Sequence, residues 1–89
     1  MAAVTAVWKF VIADPETPVR MPEGAEVLHV AEQHGQVCLW ALVDPAAMPM
    51  DRRFVVAGTG HTLTTARGRF LGTVLLSGGA LVFHVWEAA

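Results

Sequence analysis

The segment RFLGTVLLSGGALVFHVWE, residues 69–87, decides the fold class of this chain. Residues 69–76 and 80–87 form two runs rich in Val, Leu, Phe and Trp, which are residues that favour strands. Ser-Gly-Gly at 77–79 separates the runs, and glycine accepts the positive φ that a tight turn requires. The pattern predicts an antiparallel β-hairpin.

A second hairpin is predicted around His34 and Gly35. AEVLHVAEQ (25–33) has the alternation of a strand, HGQ (34–36) turns the chain, and VCLWALVD (37–44) returns. Positions 37–43 are apolar without interruption, and a strand with no polar face is usually buried on both sides. We therefore expect this strand to be central in the domain or to form one face of an oligomer interface.

The remaining segments give shorter strands and breaks. Strands are predicted at TAVWKFVIA (5–13), VRM (19–21) and RRFVVAG (52–58). Proline-rich DPETP (14–18) and DPAAMPMD (44–51) are predicted to be loops, and HTLTTARG (61–68) to be irregular. With six or seven short strands and no convincing helix, the chain is expected to be one all-β domain over residues 1–89, a small antiparallel sandwich or barrel with two hairpins.

The composition favours association. Hydrophobic residues are 54% of the chain, and its 8 glycines raise the apolar share to about 63%, against about 45–50% in a typical soluble domain. A chain of 89 residues buries only about 60–65% of its unfolded surface, so much of this apolar surface stays outside. We expect a homo-oligomer. The alternative is a compact β domain with few surface charges.

Charge and cysteine content exclude several classes of protein. The net charge is −2 without a basic run, so binding to duplex nucleic acid is not expected. No apolar run approaches the ~20 residues of a membrane-spanning helix, and no membrane partner is expected. Cys38 is a single cysteine in an apolar run, which predicts a buried thiol in a reducing, cytoplasmic compartment.

The glycine-rich stretch VVAGTGHTL (55–63) is the candidate binding loop. It lacks the lysine of a P-loop and the third glycine of a dinucleotide fingerprint. Glycines on either side of a threonine can still expose successive backbone N–H groups to an anion. The predicted ligand-binding residues are Gly58, Thr59, Gly60, His61, Thr62, Arg67 and Arg69, with the two arginines supplying charge. The alternative is a bend whose threonines satisfy their own backbone.

Catalytic and metal signatures are weak. No two of His29, His34, His61 and His84 have a metal-ligand spacing on a helix, and no cysteine pair accompanies them. His29 and His84 are expected to be satisfied core or interface residues, and a zinc site formed across strands stays open. No nucleophile motif or paired carboxylates are recognisable. We expect no catalytic residues, no metal, no cofactor and no enzyme activity.

The segments CLWALVD (38–44), GTGH (58–61) and GGALVFHVWE (78–87) resemble an uncharacterised family of small proteins from phages, prophages and bacteria. The resemblance extends from about residue 7 to 87 and carries no assigned reaction, so it implies only a setting. The resemblance implies a small viral accessory protein that acts in the bacterial host cytoplasm. The leading expectation is an oligomeric, non-enzymatic binding protein that antagonises host defence by sequestering a small nucleotide-like anion. The alternatives are an inhibitor that grips a host protein and a minor structural or assembly protein.

Overall fold

The computed structural model describes residues 4–13, 18–63 and 66–89, and they form a β protein. The first four strands are β1 (Ala6–Ile12), β2 (Val19–Pro22), β3 (Glu26–Gln33) and β4 (Gln36–Val43). The next four are β5 (Pro49–Arg52), β6 (Phe54–Gly58), β7 (Arg67–Leu76) and β8 (Leu81–Ala88). A single 3₁₀ turn at Ser77–Gly79 joins β7 to β8. The all-β prediction is confirmed.

Two three-stranded antiparallel sheets build the sandwich. The first has the order β1-β4-β3, and the second has the order β6-β8-β7. A third, two-stranded pair joins β2 to β5. Both predicted hairpins are present, because β3 pairs with β4 and β7 pairs with β8. The His34–Gly35 turn has positive φ at both residues, which is the conformation that tight hairpin turns need.

The loop predicted over residues 44–51 is wrong in its second half, where β5 forms. β5 pairs with β2 so that Met50 lies opposite Met21, and Pro49 lies opposite Pro22. The two prolines are tolerated because they close the end of a two-stranded ladder and lie on its edges. The strand predicted over residues 52–58 is divided, since β5 ends at Arg52 and β6 begins at Phe54. The described residues therefore contain eight strands, more than the predicted six or seven.

β4 is the central strand of the first sheet, as its unbroken apolar run predicts. β1 and β3 flank it on either side in register. Leu39 and Ala41 are fully inaccessible and face the second sheet, while Cys38 is buried on the opposite face. The core contains residues from every sheet: Ile12, Met21, Ala25, Val30, Val37, Leu39, Ala41, Val43, Phe54, Val74 and Val85.

The two sheets approach most closely where β3 meets β7. A Cβ atom placed on Gly72 would lie 2.6 Å from Cγ2 of Val30, which is closer than real Cβ contacts occur. Both sides of this contact are irregular, because the register shifts between Val27 and His29 in β3 and again between Phe70 and Gly72 in β7. Such bulges bend a strand and let two sheets converge at one edge.

A partly buried ion pair ties the last strand to the β2–β5 region. Arg52 donates from Nε and Nη2 to the two carboxylate oxygens of Glu87, at 2.7 and 2.8 Å. Its Nη1 donates to the carbonyl oxygen of Ala25 at 2.6 Å. The hydrogen bonds that Arg52 donates to Glu87, opposed by burial and assisted by the charge of Glu87, raise the pKa of Arg52. The bidentate geometry suits a guanidinium and cannot be reproduced by an ammonium group.

We predict that Gly72→Ala lowers the free energy of unfolding by about 1–3 kcal/mol, because the added methyl group overlaps Val30. Urea denaturation measures this loss. Val30→Ala in the same chain removes the overlapping methyl groups, so the double variant should lose less than the sum of the single variants. Strict additivity would contradict the close approach of the two strands.

We predict that Arg52→Lys destabilises the fold by about 1–3 kcal/mol, because it breaks the bidentate pair and the bond to Ala25. Arg20→Lys is the matched control, since Arg20 contacts Asp51 through one exposed ion pair at 3.3 Å. That control should change stability by less than about 0.5 kcal/mol. Equal losses for the two variants, measured by urea denaturation, would show that the Arg52 contacts add nothing specific.

Candidate binding groove

The glycine-rich stretch forms a tight turn at the end of β6. The His61 N–H donates to the Gly58 carbonyl oxygen at 3.0 Å, which closes a four-residue turn. Gly60 has a φ of +86° at the third position, where type II turns require a positive φ. The sequence Gly-Thr-Gly-His therefore matches its local structure closely.

Gly58 allows the His61 ring to fold back over the backbone. A Cβ atom at Gly58 would lie 2.8 Å from Nδ1 and 2.9 Å from Cε1 of His61. Any side chain at position 58 would displace the imidazole. The glycine thus fixes where the histidine lies, and it does so by leaving room for the ring.

The backbone N–H groups of the turn are largely used within the fold. The Thr59 N–H donates to the Val82 carbonyl oxygen at 3.2 Å, and the His61 N–H donates to Gly58. The predicted anion site relied on successive exposed N–H groups, and these two bonds remove that arrangement. The Thr59 hydroxyl does not satisfy its own backbone either, because it contacts His84 at 2.8 Å.

A groove lies between this turn and the start of β8. Its volume is about 330 Å³, and it is lined by Gly58, Thr59, His61, Ala80, Leu81, Val82 and Phe83. Four of the lining side chains are apolar, and none carries a permanent charge. Gly60 and Thr62 are exposed in and just after the turn, and they are not among the lining residues. The groove therefore offers apolar surface with one imidazole and one hydroxyl.

The two predicted arginines lie away from this groove. Arg67 pairs with Ala88 at the far end of β8, whereas Gly58 pairs with Phe83. The five residue steps from Phe83 to Ala88 span about 17 Å of strand. Arg69 lies between Arg67 and Phe70, in the irregular part of β7. The backbone register thus separates both arginines from the turn that they were expected to supply with charge.

A second cleft, of about 390 Å³, lies at that far end. It is lined by Pro18, Asp51, Arg52, Arg53, Glu87, Ala88 and Ala89. Arg52 is engaged by Glu87, and Asp51 contacts Arg20. Carboxylates and guanidinium groups balance in this cleft, so it does not present the uniform positive charge that an anion requires.

His84 is a polar centre on the outer face of the second sheet, and the sequence alone did not indicate its partners. Its Nε2 lies 2.8 Å from the Thr59 hydroxyl, and its Nδ1 lies 3.1 Å from the Thr73 hydroxyl. Each hydroxyl can donate or accept, so both ring nitrogens are satisfied in either tautomer. The pairing of Thr73 with His84 in the β7–β8 register is the feature that brings these groups together.

The other histidines form no metal centre in the described part of the chain. No group of three or more His, Cys, Asp or Glu side chains is close enough to hold a metal ion among residues 4–13, 18–63 and 66–89. His29 lies on the exposed outer face of the first sheet, 6.1 Å from Trp40 between ring centroids. The same residues include no helix that is long and apolar enough to cross a membrane.

The comparison with family models decides the relationship of this chain to other proteins. A model described as a domain of unknown function, DUF7352, matches residues 3–89. The chain belongs to the DUF7352 family. This confirms the resemblance to an uncharacterised family, and it covers almost the full length of the chain. Neither the curated proteins nor the solved structures contain a match to the DUF7352 protein.

We predict that cyclic and linear nucleotides leave the melting temperature of this DUF7352 protein unchanged, because the arginines are remote from the Gly58–His61 turn. A thermal-shift screen at millimolar nucleotide measures this. His61→Ala and Arg67→Ala are the matched variants. A stabilisation by one nucleotide that both variants abolish would contradict this separation and restore the anion-binding hypothesis.

Proposed function

We propose that this protein is a non-enzymatic binding module that grips another polypeptide through the outer face of its second sheet. The observation that carries the proposal is the chemistry of that face. Paired residues of neighbouring strands share a face, so the register defines its members. The outward residues are Val55, Ala57, Phe70, Thr73, Leu75, Val82, His84 and Trp86, with Arg67 beside Ala88 at one end.

The central strand β8 carries large apolar residues on both of its faces, and His84 is the polar residue of its outer face. Phe83 and Val85 point inward to the core, while Val82 and Trp86 point outward. The outward residues of a sandwich are usually polar, because water covers them. β8 departs from this rule, and its charged residue, Glu87, is instead held by Arg52. An apolar outer face of this kind is typical of a surface that another protein covers.

The first sheet provides the contrast within the same molecule. Its outer face carries Lys9, Glu26 and His29 beside the apolar Val7, Val11, Trp40 and Leu42. The Lys9 ammonium donates to Gln33 at 2.7 Å, and by register this contact crosses β4 at the buried Cys38. The second sheet has no acidic residue or lysine on its outer face. This difference in charge supports the second sheet as the binding face.

The side chains of the face match the chemistry of protein interfaces. Phe70 and Trp86 pack edge to face with their ring centroids 5.2 Å apart. Phe70 and Leu75 remain 52% and 57% exposed, so they are available to a partner. Aromatic residues and arginine are enriched at interfaces, and lysine and glutamate are depleted. The partner is therefore expected to present an apolar surface with few charges.

The resemblance to proteins of phages and prophages supports a setting for this activity. In that setting the module acts in the bacterial cytoplasm, and its partner is a host protein, such as a defence factor that it antagonises. The nucleotide-sequestering version has less support, since the register keeps Arg67 and Arg69 away from the groove. Binding to an apolar surface of another protein requires no charge at the groove beside the Gly58–His61 turn.

The proposal is tested by site-specific photocrosslinking in a bacterial host lysate. A crosslinker at Leu75 should give a discrete adduct, and one at Met48, which is 74% exposed elsewhere, should not. Phe70→Ser should reduce capture of the crosslinked partner protein at least about tenfold, because buried aromatic residues contribute much of the binding energy of interfaces. Met48→Ser is the matched control and should retain capture. Equal adducts from both positions, or capture unaffected by Phe70→Ser, would overturn the proposed function.

A further inference from the structure

The four edge strands of the two sheets differ in how they are protected. β3 and β7 meet each other at Val30 and Gly72, and each contains a register shift. β6 is five residues long and ends in the Gly58–His61 turn. β1 is seven residues long, and its pairing with β4 runs from Ala6 to Ile12 without a shift. Within the described residues, β1 has β4 as its single hydrogen-bonded neighbour.

β1 lacks the devices that normally keep an edge strand from pairing with another chain. Such devices are prolines, bulges and charged side chains at the edge. β1 contains no proline or glycine, and its one charged residue is Lys9. The Lys9 ammonium reaches across the sheet face to Gln33 on β3, on the side away from the open edge. The open edge therefore presents a straight, uncharged row of backbone groups.

Exposed apolar side chains flank this open edge on both faces of the sheet. Val7 points to the outer face and is 55% exposed, and Trp8 points to the core face and is 41% exposed. Trp8 packs beside Phe10 at the rim of the core, with ring centroids 6.4 Å apart. Val4 extends the same apolar stretch and is 75% exposed. The exposed surface of the whole chain is 5682 Å², whereas a typical folded monomer of 9.5 kDa exposes about 5,000 Å².

We propose that a second copy of this chain pairs with β1, antiparallel, so that the two first sheets form one six-stranded sheet. This inference is independent of the outer face of the second sheet, which stays accessible in the pair. A two-fold axis perpendicular to the sheet relates the copies, and it keeps both sandwich cores on the same side. Main-chain hydrogen bonds then satisfy both open edges.

Charge and length select the register of the pair. An axis at Lys9 would place two ammonium groups directly opposite each other, which is unfavourable. An axis at Trp8 places Trp8 of one copy opposite Trp8 of the other, and Lys9 opposite Val7. β1 itself is centred on Lys9, and the Trp8 register pairs β1 together with the two residues before it, residues 4–12, with its symmetry copy. Aromatic pairs across an antiparallel ladder add to its stability.

The mass in solution and a charge-reversal mixture test the pairing. Analytical ultracentrifugation from about 1 µM to about 500 µM should give twice the 9.5 kDa of one chain at the upper end of this range. Trp8→Lys alone and Trp8→Glu alone should each weaken dimerisation at least about tenfold, because like charges then face each other. Mixing the two variants should restore a dimer, since opposite charges face each other across the axis.

Phe70→Lys is the matched control, because it places a charge on another exposed aromatic residue, 52% exposed against 41% for Trp8, on the second sheet. It should leave the dimer intact. A mass of one chain throughout the range would overturn the pairing, and so would a dimer that Phe70→Lys abolishes and Trp8→Lys does not. The restored dimer also shows that the Trp8 variants fold. Loss of pairing is distinguishable from failure of the proposed function, because the Trp8 variants should retain the Leu75 crosslink.

Discussion

The structure depends on two strands, β4 and β8, that carry large apolar side chains on both faces and lie in the middle of their sheets. Each of these strands has apolar side chains on two faces. A chain of 89 residues forms a single core, which covers only one face of each sheet. The inward faces meet each other and form the core. The outward faces remain at the surface of the molecule, and their side chains determine where that surface is apolar.

The two outward faces differ in the side chains that cover their central strands. Over β4, the contact between Lys9 and Gln33 crosses the sheet, so polar groups of β1 and β3 cover part of this face. Over β8, Phe70 and Leu75 extend the exposed apolar area, whereas Val55 is buried. The extents of 47 × 27 × 18 Å describe a thin molecule, and a thin sandwich has a large ratio of surface to interior. Its apolar excess therefore lies outside, and part of it is on the outer face of the second sheet and along the edge of β1.

The strands were predictable wherever an apolar run ended at a turn residue. The segments around β4 and β8 meet this condition, and so does the turn at Gly58–His61. β5 was not predictable, because Met50 and Asp51 directly follow a stretch with Pro45 and Pro49 and show no alternation. The position of Arg67 and Arg69 was not predictable either. It depends on which end of β8 they pair with, and bulges near Phe70 and Gly72 set that register. The hydrogen bonds of His84 depend on the same register, so a sequence pattern could not reveal them.

The bridge of Thr59, His84 and Thr73 links the turn after β6, the central strand and β7 by side chains on one face. The three residues are held before any contact with a partner. Little rotational freedom remains to be lost there when a second surface arrives, so the entropic penalty of complex formation falls. A surface ordered in this way should distinguish among shapes, since it cannot readily adjust to a poorly fitting one.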